Sequence, residues 1–301
     1  MPAMDDKTQK IMQKVRRIEL TARRLTTTTL AGQYRSSFRG QGLEFDDYRE
    51  YQAGDDPRFI DWKVTARTGT PYVRRFHEER EQVLLLAVDT SASMLYGSSS
   101  SEYTKLEYAA LIAAVLAYSA ARNSDKVGLL LFGCHPHFYL PPAKGMKQFL
   151  RIIREIISAR NSGADVSIEE VSAEILRTQR KRTMCFLISD FMMPADKQSI
   201  GKLNFKHELI PLRIADAMEL ELPDDVGSVC IQDPETGMPY NIHMSSPTIR
   251  KAYTKAMVAH RGEWESVFTQ LGIDMKDINT NADFIPALRN LFTSRSSHFA
   301  H

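Results

Sequence analysis

Two stretches of this 301-residue chain place oxygen-bearing side chains at the end of an apolar run. In EQVLLLAVDTSASM, residues 81–94, the run stops at Asp89, and Ser91 and Ser93 follow at alternate positions. In TMCFLISDF, residues 183–191, it stops at Ser189 and Asp190. Carboxylates and hydroxyls, with no nitrogen or sulfur among them, suit a small hard cation such as Mg²⁺. Two such ends lying side by side would let Asp89 and Asp190 face one ion. Taken singly, an Asp or Ser at such a place is more often the N-cap of the next turn or helix, and short motifs recur by chance.

The elements that must position these residues are strands. Five of the six residues from Val83 to Val88 are bulky aliphatics, the pattern of a parallel strand buried on both faces. Ligands of open α/β sheets sit beyond the carboxyl ends of their strands, where Asp89 and Asp190 would fall. Further strands are expected at 126–133, at 207–214 and, ended by prolines, at the edge over 137–142. Helices are expected near 104–122, 145–158, 167–180 and 195–202. This alternation implies a mostly parallel, doubly wound sheet covered on both faces.

Outside that core, Ile11, Val15, Ile18, Ala22 and Leu25 recur at helical spacing over residues 8–26. A Gly-bearing, charge-rich segment from Tyr34 to Phe76 reads as short β-like pieces around turns such as GDDP at 54–57. There Trp62 and Tyr72 are expected to pack a small β-subdomain. Residues 227–244 read as a hairpin around DPETG, and a polar helix over 247–271 begins at Pro247. DMKDINTN and DFIPALRNLFTSR supply a last strand and helix. The division expected is 1–80 for the N-terminal helix and small β-subdomain, 81–215 for the α/β core, and 216–301 for an extension packing on or completing it.

Composition narrows the classes of function. With 43% hydrophobic and 25% charged residues the chain can bury a full core, and its net charge of +2 is not that of a polycation. Residues 7–39 nevertheless hold nine Lys/Arg against Glu19 alone. A solvated or salt-bridged helix face is the plainer reading. Nucleic-acid binding through Arg16, Arg17, Arg23, Arg24, Arg35 and Arg39 is the alternative, and it would weaken steeply with salt. Cys134, Cys185 and Cys230 have no ligand-like spacing, and with no signal peptide they point to a reducing, cytoplasmic setting. The apolar stretch 108–121 is too short for a membrane span. No phosphate-binding G-x-x-x-x-G-K-[ST] string and no G-x-S-x-G elbow occurs. His135 and His137 stand only two apart and make no zinc pattern.

Asp89-Thr90-Ser91-Ala92-Ser93, an Asp-x-Ser-x-Ser string, resembles with Asp190 the metal-ion-dependent adhesion site of von Willebrand factor type A domains. Residues 39–80, RGQGLEFDDYREYQAGDDPRFIDWKVTARTGTPYVRRFHEER, closely resemble the signature of the bacterial family known as domain of unknown function 58. ADAMELELPDDVGSVCIQDPETG, 215–237, resembles its downstream segment, so the likeness spans about residues 8–295. It implies a von Willebrand A-like core in which Asp89, Ser91 and Ser93 form the first metal loop and Asp190 the later one. The threonine such sites usually take from an intermediate loop is replaced by Ala164. Water, Asp165 or Ser162 would fill its place, or the ion would be weakly held. Mg²⁺ is the ion implied, with Mn²⁺ or Ca²⁺ as alternatives, and an acidic side chain of a partner would complete its shell. The partner implied is a MoxR-type AAA+ ATPase, in a chaperone-like or assembly role with no bond broken by this chain. An enzyme remains the alternative, a metal-dependent phosphohydrolase using Asp89. Haloacid dehalogenase-type sites, however, carry a second aspartate where Ser91 stands.

Overall fold

The computed structural model describes residues 6–27, 43–78, 82–98, 101–134, 136–159, 167–220, 222, 227–232 and 238–298. At its centre is a six-stranded sheet ordered β10-β7-β6-β3-β4-β5. These strands are β3 (Val83–Asp89), β4 (Lys126–Phe132), β5 (Phe138–Ala143), β6 (Met184–Ser189), β7 (Glu208–Ala215) and β10 (Lys276–Asn279). All neighbours run parallel except β5, the antiparallel edge beside β4. From β3 the chain builds β4 and β5 on one side, then returns to add β6, β7 and β10 on the other. The order therefore reverses between β3 and β6, where the crevice of an open α/β sheet opens.

The aliphatic run of β3 serves two cores because successive side chains point to opposite faces. Leu84, Leu86 and Val88 enter one cluster, and Leu85 and Ala87 enter the other. On the first face lie α1 (Asp6–Leu25), α3 (Lys105–Arg122), α4 (Met146–Ile157) and α9 (Ile285–His298); on the second lie α5 (Ile168–Thr178), α6 (Lys197–Lys206) and α8 (Pro247–Gln270). α3 is buried along nearly its whole length because it is Ala-rich and sits flush against strands and helices. Val15, Ile18 and Ala22 bring α1 into the first cluster. Trp264 and Phe268 of α8 enter the second.

Before the core, β1 (Leu43–Glu50) and β2 (Tyr72–Glu78) pair antiparallel as a separate two-stranded sheet. Between them lies α2 (Trp62–Thr68), which the turn-rich reading of this segment did not anticipate. Asp61 starts it by accepting the N–H groups of Lys63 and Val64, and Gly69 ends it in a left-handed conformation. This corrects the expectation for Trp62: it stands at the start of α2 with 69% of its surface exposed rather than packed. The charges nearby pair locally, Arg49 with Asp55 at 2.5 Å and Arg58 with Asp56 at 2.6 Å. After β7 come the short α7 (Ala217–Leu220) and an antiparallel hairpin of β8 (Ser228–Gln232) and β9 (Pro239–His243). Among the described residues no helix is long and apolar enough to cross a membrane.

Candidate functional site

Parallel pairing in register sets Val88 beside Ile188, so Asp89 and Ser189 end adjacent strands at the same height. There the Ser189 hydroxyl donates to Asp89 Oδ2 at 2.6 Å, and the Ser91 N–H donates to Oδ1 at 2.8 Å. The loop after β3 then turns tightly, so that the Ser91 and Ser93 hydroxyls stand 3.0 Å apart. Two contacts from β4 hold this loop: the N–H and the hydroxyl of Thr90 both donate to the Phe132 carbonyl. Gly133 makes the approach possible. Its φ is +83°, and a Cβ there would lie 2.4 Å from the Ser91 nitrogen and 3.0 Å from Asp89 Oδ1.

The loop after β6 is fixed from the opposite face. Phe191, a non-glycine residue at φ +57°, packs on Trp264 and Phe268 with ring centroids 4.8 and 5.7 Å away. Its carbonyl accepts from His260 Nε2 at 2.7 Å, and the Trp264 indole donates to the Met193 carbonyl at 3.0 Å. Such left-handed backbone persists where the surroundings over-determine it. Here α8 does so, and Asp190 is thereby directed at the rim.

Asp89, Ser91, Ser93 and Asp190 thus line one cavity of about 1010 Å³ at the end of β3 and β6. Met192, Met193, Met218, Met244, Tyr96 and Tyr253 give it a largely apolar wall. Asp89, Ser91 and Asp190 are buried at its floor, whereas Ser93 is half-buried. Burial, and after it the charge of Asp190, pushes the Asp89 carboxyl up to about 7 against the lowering hydrogen bonds from Ser189 and Ser91. An ionised Asp89 is therefore short of positive charge, which a cation held beside it would supply. In kind, a carboxylate and two adjacent hydroxyls fit a hard cation. Asp165, the further ligand expected, lies outside the described residues, as do Ser162 and Ala164. Among the described residues no three His, Cys, Asp or Glu side chains form a metal cluster. Cys185 is buried in β6, and burial raises its thiol to about 12.

Two residues at the site escaped the sequence reading. Lys105, the first residue of α3, has its ammonium fully buried, donating to Asp190 Oδ2 at 2.7 Å and also to Glu219 of α7. Burial pulls this ammonium down, but Asp190 and Glu219 together outweigh it and leave it raised. Burial raises Glu219, the pull of Lys105 notwithstanding. A buried lysine opening an otherwise Ala- and Leu-rich helix was the available signal. Its partners stand 85 and 114 residues away, which no local pattern reveals.

A mostly parallel α/β sheet with an oxygen-rich crevice at its reversal point is the class of protein these features define. The chain belongs to the family described as protein of unknown function DUF58, whose model matches residues 47–263. It is 29% identical over 289 residues to the uncharacterized protein Rv1480 of Mycobacterium tuberculosis (strain ATCC 25618 / H37Rv), covering 95% of this chain and 90% of that one. Uncharacterized protein MAV169 of Mycobacterium avium is 27% identical over 159 residues, covering 52% of this chain and 93% of that one. Similar solved structures include the conserved hypothetical protein BatB of Bacteroides thetaiotaomicron, with 16% identity, TM-score 0.45, and coverage of 72% of this chain and 99% of that one. The SpRpn10 VWA domain matches with 10% identity, TM-score 0.39, and coverage of 70% and 95%.

Proposed function

We propose that this chain is a non-enzymatic, cytoplasmic protein-interaction module that holds its partner at the carboxyl-end rim of the sheet. The observation that carries this reading is the convergence of Asp89, Ser91, Ser93 and Asp190 on one cavity with an apolar, methionine-rich wall. Such a surface offers hydrophobic contact beside a polar anchor, the usual composition of a recognition site. Mg²⁺ is the cation proposed, with Asp89, Ser91, Ser93 and Asp190 as the residues that would hold it. When bound it would supply a positive centre for an acidic side chain of the partner. The depth of the aspartates suits that role, because a partner would touch the ion rather than the carboxylates beneath. It suits a nucleophile poorly, since both Asp89 oxygens already accept hydrogen bonds from Ser91 and Ser189.

The resemblance described above makes a MoxR-type AAA+ ATPase the partner to test. Tagged protein incubated with such an ATPase should retain it in Mg²⁺ and release it in EDTA, and Asp89→Ala should capture little under either condition. Equal capture by wild type and variant in both buffers would remove the rim from the account. Turnover of phosphate esters by the wild type that Asp89→Asn abolishes would restore the enzyme reading.

A further inference from the structure

The Lys105 ammonium holds Asp190 Oδ2, an oxygen of a carboxylate that the proposed cation site would use. It enters the site from the N-terminus of α3, where the helix dipole disfavours a positive charge. The helix therefore gives no reason for a cation there. A buried ammonium persists only when paired and hydrogen-bonded, and the pairing here is with Asp190 and Glu219. Thr104 caps α3 and Glu107 completes a reciprocal capping box, so the backbone that carries Lys105 is firmly placed. The Lys105 N–H donates to the Tyr96 carbonyl at 2.9 Å, tying the same residue to the loop that bears Ser91 and Ser93. Asp190 Oδ1 accepts the Met192 N–H at 3.2 Å, so its other oxygen, Oδ2, is the one given to the lysine.

We propose that Lys105 is a built-in cation of this site that competes with a divalent ion for Asp190. While its ammonium holds Asp190 Oδ2, the carboxylate gives the ion less than its full charge, and metal binding is weak. Glu219 gives the ammonium a second anchor, so Lys105 stays paired when Asp190 turns to the metal. Glu219 also lines the cavity beside Met218. A partner pressing on that wall can shift the lysine between its two carboxylates and so change the hold on the ion. Coupling of this kind makes metal and partner bind cooperatively, each favouring the other by the same factor. This inference rests on the reading of the rim as a cation-dependent docking site, but its test needs no partner.

The test is calorimetric titration of the full chain with Mn²⁺ and Mg²⁺, alongside thermal unfolding in EDTA and in Mn²⁺. Removing one neighbouring positive charge should tighten Mn²⁺ binding to Lys105→Met by about tenfold or more over wild type. Adding Asp89→Ala should cancel the gain. The Lys105→Met protein should melt lower than wild type in EDTA and recover in Mn²⁺. If it unfolds in EDTA, recovery of its helical circular dichroism on adding Mn²⁺ is the same result. Lys105→Gln, which keeps a hydrogen-bond donor without the charge, should tighten in the same direction. A folded Lys105→Gln with wild-type affinity overturns the proposal, and so does failure of Mn²⁺ to recover either variant. Lost partner capture with this competition intact would instead defeat the docking reading alone.

Discussion

At Gly133 the site depends on the absence of a single carbon. The residue combines a left-handed φ of +83° with a space that a Cβ would fill, 2.4 Å from the Ser91 nitrogen. Gly133→Ala therefore has to move the Asp89–Ser93 loop or distort the end of β4. The left-handed penalty alone is of order 1–2 kcal/mol, and the close contact adds to it. Urea denaturation should show a loss of roughly 2 kcal/mol or more, a magnitude typical of strain at a special backbone position. A neutral substitution would mean that the loop is loosely held. Lys105 makes the complementary case, a side chain whose removal leaves the buried Asp190 and the half-buried Glu219 without their cation. Breaking a buried pair by removing one partner costs about 3–5 kcal/mol, so Lys105→Ala should rank among the most destabilising single changes in metal-free buffer. A melting temperature equal to wild type would contradict the buried pairing.

Among the elements, two fastenings hold the rim in shape. Asp216, at the end of β7, accepts from the Ser98 N–H and hydroxyl, from Ser101 at 2.8 Å and from Thr280 at 3.0 Å. It thereby ties the loop before α3 to the ends of β7 and β10. Burial alone would push its carboxyl up, but hydrogen bonds from Met218, Ser101 and Ser98 outweigh burial and hold it below the usual aspartate range. The folded state thus binds this proton less readily than the unfolded chain. Its stabilisation is present above the unfolded pKa of about 4 and is lost as pH falls through the lower folded value. Thermal scans should show that acid limb in wild type and a flatter one in Asp216→Asn, which should also melt lower at neutral pH. Parallel curves would assign the acid sensitivity elsewhere. The second fastening is Trp264, buried against Phe191 and Phe268. Trp264→Ala should cost about 3–5 kcal/mol and release the loop carrying Asp190, and an unchanged midpoint in denaturant would contradict that role.

What could be read in the sequence follows the same division of scale. The runs of β3, β4, β6 and β7 are nearly continuous aliphatics because both faces are covered, and that made the parallel sheet legible. The positions of Asp89 and Asp190 at strand ends were legible for the same reason. α2 was not, because it has no buried residue to give it an apolar stripe, and its Asp61 cap sits among turn residues. Lys105, Glu219 and Gly133 were not, because their roles arise only once topology brings distant loops together.

For the molecule as a whole, the basic N-terminal helix and the rim make different demands on charge. Arg17 lies 4.3 Å over the Tyr103 ring and pairs with Glu102, Lys14 pairs with Glu107, and Arg23 pairs with Glu19. Much of the positive charge of α1 is thus turned onto this protein's own acidic and aromatic groups. The rim cavity, in contrast, is lined among the described residues by Asp89, Glu169, Asp190, Asp196 and Glu219, and the Lys105 ammonium is already held by two of these, Asp190 and Glu219. On the reading proposed above, a partner approaching with an acidic group would meet the rim through a bound divalent ion, and docking and ion binding would be one event. The measurement closest to that claim is the affinity for a MoxR-type ATPase, titrated in Mg²⁺ and again in EDTA, for wild type and Asp89→Ala. We expect binding in Mg²⁺ to be at least about tenfold tighter, near 1.4 kcal/mol, with the difference gone in the variant. Equal affinity in both buffers for the wild type would contradict the account.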